Sequence, residues 1–300
     1  MSLLAAVVAA TLRSATPLVY GTIGELYAER AGILNLGIEG TMYAGAFYGF
    51  AAAYATDSLL LGLLVAIAVG VGAGALMGLL SVTLGANQHV AGIGLTLLLI
   101  GLSEFSNRIF FSGRETLPKI EPFAQLQPFG EGILAQYALT YFAFVVLVPV
   151  AWFVLMRTSF GLDLRAVGEN PEAADAAGVN VFRTRYLALM IGGALMGVGG
   201  AFFTLAALGS FTLDIIAGRG WVCIALVIFG RWRVARAVLG TLLFAGVYAL
   251  QLRLRILPGW GEVPFELLLA LPYIVTIVAL ALSGANAAYP GAYLKPYRRG

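Results

Sequence analysis

From Ser58 to Ser103 the chain carries no aspartate, glutamate, lysine or arginine. Gly132–Met156, Tyr186–Leu213 and Leu267–Leu294 are equally free of them. A helix needs roughly 20 mostly apolar residues to cross the hydrocarbon core of a bilayer, and several of these runs are longer. Soluble domains average about 25% charged residues, whereas this chain has 11%, with 60% hydrophobic residues and a mean hydropathy of +0.92. A water-soluble fold would leave apolar patches that aggregate. The runs are continuously apolar instead of alternating, which excludes a membrane β-barrel. The expected fold is therefore all-α: a polytopic transmembrane helix bundle forming a single domain over residues 1–300. The glycines, 38 in all, lie inside the apolar runs, as in membrane helices that pack closely through small residues.

Nine candidate spans follow: 3–27, 31–56, 59–82, 90–111, 134–156, 186–208, 215–230, 237–252 and 264–283. The first is interrupted by Arg13, Ser14, Thr16 and Pro17, and the pair 215–230 and 237–252 is short enough to be tilted, broken or re-entrant. The expected total is eight to ten. Basic residues set the orientation. Arg157, Arg165, Arg183 and Arg185 fall in one loop, Arg231, Arg233 and Arg236 in another, and Lys295, Arg298 and Arg299 in the C-terminal tail. Two spans separate each cluster from the next, so all three can face the cytoplasm together. The 112–133 loop then faces outward, with Arg114 and Lys119 set against Glu115, Glu121 and Glu131. Arg253 and Arg255 in the 253–263 loop are the one mild violation. Counting backwards puts the N-terminus outside. It lacks the basic n-region of a secretory signal, its first charge being Arg13, and reads as part of the mature protein. Gly74–Gly78 and Gly193–Gly197 share the letters Gly-Ala-Leu-Met-Gly, either an echo of duplicated halves or a coincidence of a small alphabet.

Several chemistries are excluded. No Gly-x-x-x-x-Gly-Lys-[Ser/Thr] occurs and the only lysines are Lys119 and Lys295, so the chain has no phosphate-cradling loop for ATP. His89 and Cys223 are the single histidine and cysteine. They allow no intrachain disulfide, no Cys/His metal cluster and no histidine-based nucleophile pair. No cofactor is expected on this chain, and no nucleic-acid partner. The lipid bilayer is its immediate surrounding.

The most informative segment is Arg165–Asn180, which reads as a short helix with marked ends. Asn170 is a good N-cap, Pro171 suits the first helical position, and Glu172 complements the positive end of the helix dipole. Ala173, Ala174, Ala176 and Ala177 propagate the helix, and Gly178 is placed to stop it in the left-handed conformation. Physics alone allows two readings: an amphipathic loop helix at the membrane surface, or a rigid helix shaped to dock in another protein's groove.

The segment RAVGENPEAADAAGVNVFRTR resembles the cytoplasmic coupling loop, here residues 157–185, of the ABC permease family serving branched-chain amino acids, simple sugars and nucleosides. Thr16–Phe47 (TPLVYGTIGELYAERAGILNLGIEGTMYAGAF) is similar to that family's first block, and Ala86–Leu98 (ANQHVAGIGLTLL) to a second. With GGALMGVGGAF after the loop, the likeness covers roughly residues 16–210. The Ile-x-Leu-Pro that continues the loop motif in other importer families is missing after Gly178. Within the family, the chain looks most like the shorter permease of nucleoside uptake systems linked to basic membrane proteins, with simple sugars the next candidate. The resemblance implies a bacterial inner-membrane permease with a cytoplasmic C-terminus and no enzymatic activity of its own. It implies separate ATPase subunits holding ATP and Mg, a second and different permease, and an external solute-binding protein. It also implies ATPase coupling through Asn170, Pro171, Glu172, Ala173, Ala174 and Gly178.

Ionisable groups inside spans cost about 2.5–3.5 kcal/mol on insertion scales, so each needs a partner or a wet cavity. Asn35 and Glu39 stand four apart, which predicts one helical face and a cavity-facing, helix-bridging or membrane-edge position. Glu104 and Arg108 are also four apart, in the order that favours an intrahelical ion pair, with Ser103 and Asn107 on neighbouring faces. Asn87 and Gln88 precede His89 at the head of a span, as a polar turn would. Asn35, Glu39, Asn87, Gln88, Ser103, Glu104 and Asn107 are the candidates for a translocation path, and Asp214, Arg219 and Trp221 open a further short span. A self-contained secondary transporter using Glu39 or Glu104 as its proton-coupling group is the alternative to an ATP-driven importer.

Overall fold

The structure, a computed structural model, describes residues 3–112, 118–128, 130, 132–254, 265–284 and 289–298. Arg114, Glu115, Glu131, Arg255 and Arg299, weighed in the charge balance above, lie outside the described residues.

Helix follows helix in the order of the apolar runs: α1 (Leu3–Arg30), α2 (Ile38–Thr56), α3 (Leu59–Gly78), α4 (Gln88–Phe110), a two-stranded ribbon β1 (Gln125–Leu126) and β2 (Gln136–Tyr137), α5 (Ala138–Tyr141), α6 (Val148–Arg157), α7 (Ser159–Glu169), α8 (Pro171–Ala176), α9 (Val181–Phe202), α10 (Arg219–Phe229), α11 (Val234–Leu254) and α12 (Phe265–Gly284). Wider π turns prolong α3 over Leu79–Thr83 and α9 over Phe203–Leu208, and join α5 to α6 over Phe142–Leu147. Among the described residues, six helices are long and apolar enough to cross a membrane: Leu4–Arg30, Leu59–Thr83, Gln88–Phe110, Ala138–Arg157, Val181–Leu208 and Val234–Leu254. A helix also stands at each of the other three expected spans. The second expected span begins seven residues late, at Ile38, because residues 33–35 are not helical.

The bundle is organised around α9, the most buried of the six spans. Its glycines explain why. A Cβ on Gly193 or Gly197 would overlap the backbone oxygen of Gly70 or Ala66 on α3, and one on Gly74 would overlap that of Leu189. The pairs 70–193, 74–189 and 66–197 run in opposite directions, so α3 and α9 are antiparallel and touch backbone to backbone. On another face of α9, Gly192 faces Gly24 of α1, where a Cβ on either would come within 2.6 Å of the other's carbonyl oxygen. Gly200 meets Met42 of α2 on a third. Three helices thus sit at backbone distance from one helix, which a glycine on at least one side of each contact permits. The shared letters at 74–78 and 193–197 are accordingly the two opposed sides of one seam.

The three basic segments meet at one end of the bundle. Arg30 Nε at the end of α1 donates to Trp232 O in the α10–α11 turn (3.0 Å). Ala292 N–H in the tail donates to Gly168 O of α7 (2.8 Å). Charge counting had grouped these segments, and the fold brings them into contact.

Candidate functional site

Two helices start in the middle of the bundle instead of at its surface. The thiol of Cys223 on α10 donates to Leu18 O on α1 at 3.6 Å. Leu18 stands twelve residues before Arg30, hence about 18 Å from the basic end at ~1.5 Å per residue. The stretch leading into α10 (209–218) is therefore irregular backbone at membrane depth, and the stretch leading into α2 (residues 31–37) climbs to the same depth from the basic end, because Glu39 at the start of α2 meets Gly218 and Gly220. Such backbone is tolerated there only where it is buried in protein or lines a cavity, since each unsatisfied group costs several kcal/mol.

Side chains from distant helices supply the missing partners. Leu34 N–H donates to Gln88 Oε1 (2.8 Å), Asn35 N–H to Glu25 Oε1 (2.9 Å), and Gly37 N–H to Asn35 Oδ1 (3.0 Å). The Thr96 hydroxyl donates to Leu36 O (2.9 Å). At the second break, the Glu39 carboxylate accepts Gly218 N–H through one oxygen and Gly220 N–H through the other, each at 2.7 Å. Glu39 lies in the first turn of α2 and Gly220 in the first turn of α10, so one carboxylate serves the positive ends of both helices. Arg219 ties the second break to α11. Its Nη1 donates to Ile215 O and Ile216 O (3.1 Å each) and its Nη2 to the Tyr248 hydroxyl (3.0 Å). Its guanidinium carbon lies 5.2 Å from the centre of the Phe203 ring and 5.3 Å from that of Tyr248, within cation–π range.

A cavity of about 560 Å³ opens over the second break, within the size range of small-molecule sites. Arg13, Ser14, Thr212, Asp214, Arg219 and Tyr248 supply its polar wall, and Tyr137, Phe202, Phe203 and Phe244 its rings. Arg13 stands seventeen residues before Arg30, about 25 Å from the basic end, so the cavity belongs to the far half of the bundle. Its chemistry is hydroxyls, one carboxylate, two guanidinium groups and aromatic faces. That wall suits a polar solute with a flat or ring-shaped part.

The residues singled out from sequence fall into different places. Asn35, Glu39 and Gln88 are brought together around the breaks, all three buried, and each satisfies backbone. Asn35 lies before α2, not on it, so Asn35 and Glu39 share no helical face: a segment that must deliver four polar contacts in four residues cannot also be helix. Asn87 caps α4, accepting from His89 N–H (3.0 Å) and Val90 N–H (3.3 Å). The Ser103 hydroxyl donates to Leu99 O in its own helix (2.7 Å). Glu104 accepts from the Tyr43 hydroxyl (3.4 Å) and forms no ion pair with Arg108, which points to the exposed side of α4. Asn107 is half-buried on α4. None of these seven lines the cavity. Of the cavity residues, Arg13 had stood out as an interruption of the first span and Asp214 and Arg219 as the opening of a short one. The signal was there, as charge inside apolar sequence, but its convergence needed the fold.

At the basic end, α8 has the expected ends. Asn170 Oδ1 accepts from Ala173 N–H (3.0 Å), Pro171 is the first helical residue, and Gly178 has φ of +89°. Val179 N–H closes back on Ala174 O (3.0 Å), the wrap that ends a helix at a left-handed glycine. The helix is Pro171–Ala176, one residue shorter than the sequence suggested, with Ala177 already in the closing turn. Ala174 is buried against Val167 and Val181, while Glu172 and the small residues Ala173, Ala176 and Ala177 form an exposed face.

Broken helices meeting at mid-depth, a cavity above them and a rigid helix standing proud of the charged end define a membrane transport permease. The profile of the family described as the permease component of branched-chain amino acid transport systems matches residues 7–280, and the chain belongs to that family. It is similar to TsgC13 of Haloferax volcanii, assigned as a glucose ABC transporter permease protein, with 38% identity covering 100% of this chain and 99% of TsgC13, and to the nucleoside ABC transporter permease protein NupC of Lactococcus lactis subsp. cremoris, with 34% identity covering 95% of this chain and 94% of NupC. It is also similar to the guanosine ABC transporter permease protein NupQ of Bacillus subtilis, with 32% identity covering 100% of this chain and 98% of NupQ. Among solved structures, an inward-facing ABC transporter assigned to the metal-chelate type shares the fold, with a TM-score of 0.55 and 18% identity over 93% of this chain and 85% of that one.

Proposed function

We propose that this chain is the membrane-spanning permease of an ATP-driven importer that moves a small polar solute, a nucleoside first and a simple sugar next, into a bacterial cytoplasm. The observation that carries the reading is α8. A six-residue helix capped at both ends, seated on an apolar pad and exposing alanines outward, is built to enter a groove on another protein without changing shape. With no nucleotide-binding loop of its own, the chain takes its energy from ATPase subunits, which hold ATP and Mg, docked at Asn170–Gly178. The basic end and the tail then lie in the cytoplasm, and the cavity opens on the outer side, where a solute-binding protein delivers its cargo. A second permease chain, different from this one, completes the path between them.

The names of NupC and NupQ support a nucleoside, and that of TsgC13 supports the simple sugar. The cavity supports it too, because aromatic faces beside hydroxyl and carboxylate groups match a base and a ribose. Glu39, which would carry protons in a secondary transporter, is held by two backbone N–H groups and serves structure in this reading. The test is reconstitution in proteoliposomes with the ATPase, the second permease and the binding protein. Uptake should require ATP inside. Glu172→Lys and Gly178→Val should leave membrane insertion intact and abolish the link between hydrolysis and uptake. Uptake driven by a proton gradient without ATPase would replace this function with secondary transport.

A further inference from the structure

The C-terminal tail makes contacts that neither the cavity nor α8 by itself explains. Residues 289–297 lie across four separate parts of the basic end. On the first, Tyr289 and Tyr293 pack against each other (ring centres 5.2 Å apart) and, tilted or edge-on, against Trp232 of the α10–α11 turn (4.9 and 6.2 Å). Trp232 is only 2% exposed and its indole N–H donates to Glu29 of α1 at 2.6 Å. On the second, Leu294 N–H donates to Gly32 O (3.2 Å), where the stretch leading into α2 leaves the basic end. On the third, Ala292 N–H donates to Gly168 O (2.8 Å) and Gly291 N–H to Glu169 Oε2 (3.2 Å), both at the end of α7. Tyr297 then reaches the pad formed by Val167, Ala174 and Val181 beneath α8, with its ring 6.0 Å from that of Phe182. The phenol of Tyr293 is pushed well above the ordinary tyrosine range, first by burial and then by Glu29 and Glu25 of α1.

The rest of the chain already links α8 to the first break through its neighbours, since Arg185 Nε of α9 donates to Ala31 O (3.2 Å). α8 is flanked by α7 and α9, and α7 touches α1 where Gly168 meets Arg30 O. The tail adds a parallel route that touches the underside of α8, the end of α7, the first break and the turn after α10 at once. A segment of nine residues fixed at four such points moves with all of them or not at all.

We propose that residues 289–297 are a transmission strap, and that Ala292, Tyr293 and Tyr297 position α8 so that its displacement is passed to α1 and to the turn after α10. The proposal rests on the reading of α8 as the ATPase-docking helix. Three variants of the full chain test it: Ala292→Pro, which removes the N–H given to Gly168, Tyr293→Ala, and Tyr293→Phe, which keeps the ring. In the reconstituted importer, Ala292→Pro and Tyr293→Ala should still copurify with the ATPase and hydrolyse ATP, while uptake per ATP falls about tenfold, the value of one hydrogen bond or ring contact. Tyr293→Phe should retain coupling. A second readout needs no ATPase. In the permease alone, amide hydrogen exchange over residues 166–182 should rise about tenfold in the first two variants and stay unchanged in Tyr293→Phe. Unchanged exchange and unchanged uptake per ATP would overturn the strap. So would loss of the ATPase on purification, which would make the tail part of the docking surface. If the wild-type chain shows no ATP-driven uptake, the importer reading fails while the exchange measurement still decides the strap's contacts.

Discussion

Replacing Glu39 by glutamine keeps the size of the side chain and removes its charge. In the native protein the two carboxylate oxygens accept Gly218 N–H and Gly220 N–H at 2.7 Å each. Charge-assisted bonds of this kind contribute about 1.5–3 kcal/mol each, roughly twice a neutral one. Glutamine retains one acceptor and turns an NH₂ toward the other N–H, so one bond is lost and the other falls to neutral strength. The sum is about 3 kcal/mol of local stabilisation at the start of α10, or about a hundredfold more frequent opening. The assay is hydrogen exchange of the purified protein in lipid nanodiscs, followed at Gly218–Val222. Faster exchange confined to this stretch is the expected outcome. The far end of α9 is held by its glycine seam and should not respond. Exchange at Gly218–Val222 within a factor of about three of wild type would place the carboxylate's contribution below 1 kcal/mol, and the idea that Glu39 anchors the second break would fail.

Two further outcomes follow from the packing and the cavity. Gly74→Ala pushes a methyl group into the Leu189 backbone and should cost about 1–3 kcal/mol, seen as a lower thermal midpoint in detergent. Gly72→Ala, which meets nothing within 4 Å, should be neutral or stabilise by up to about 1 kcal/mol, and equal losses at both positions would refute the seam. Arg219→Lys keeps the charge but loses the planar fork that reaches Ile215, Ile216 and Tyr248 together. Solute uptake should drop roughly tenfold without loss of membrane insertion, and wild-type uptake would remove Arg219 from the working cavity.

The helices were legible in the sequence because hydropathy is a local property: a window of twenty residues contains everything that decides whether a segment can enter a bilayer. The ends of α8 were legible for the same reason, since Asn170, Pro171 and Gly178 act on their immediate neighbours. The break before α2 was not. Asn35 and Glu39 have helical spacing, and the facts that cancel it are Gln88, Thr96 and Glu25, one on the preceding helix and two some sixty residues away. No local window holds them. The cavity was hidden likewise, because Arg13, Asp214 and Tyr248 come from three distant segments and each looks like an isolated defect in its own span. The expected Glu104–Arg108 pair failed for a simpler reason: Tyr43 offers Glu104 a partner inside the bundle while Arg108 faces outward.

The glycine seam around α9 has a consequence for how such a bundle can work as a machine. Switching between two packings normally means exchanging one set of side-chain rotamers for another across an interface. Where Gly70, Gly74, Gly193 and Gly197 bring backbone against backbone, there are no rotamers to exchange and no second fit to fall into. α3 and α9, with α1 and α2 pressed on them, therefore move together as one body of fixed dimensions. The moving joints have to lie where hydrogen bonds to single side chains replace helical turns, at residues 31–37 and 209–218, on either side of the Glu39 carboxylate.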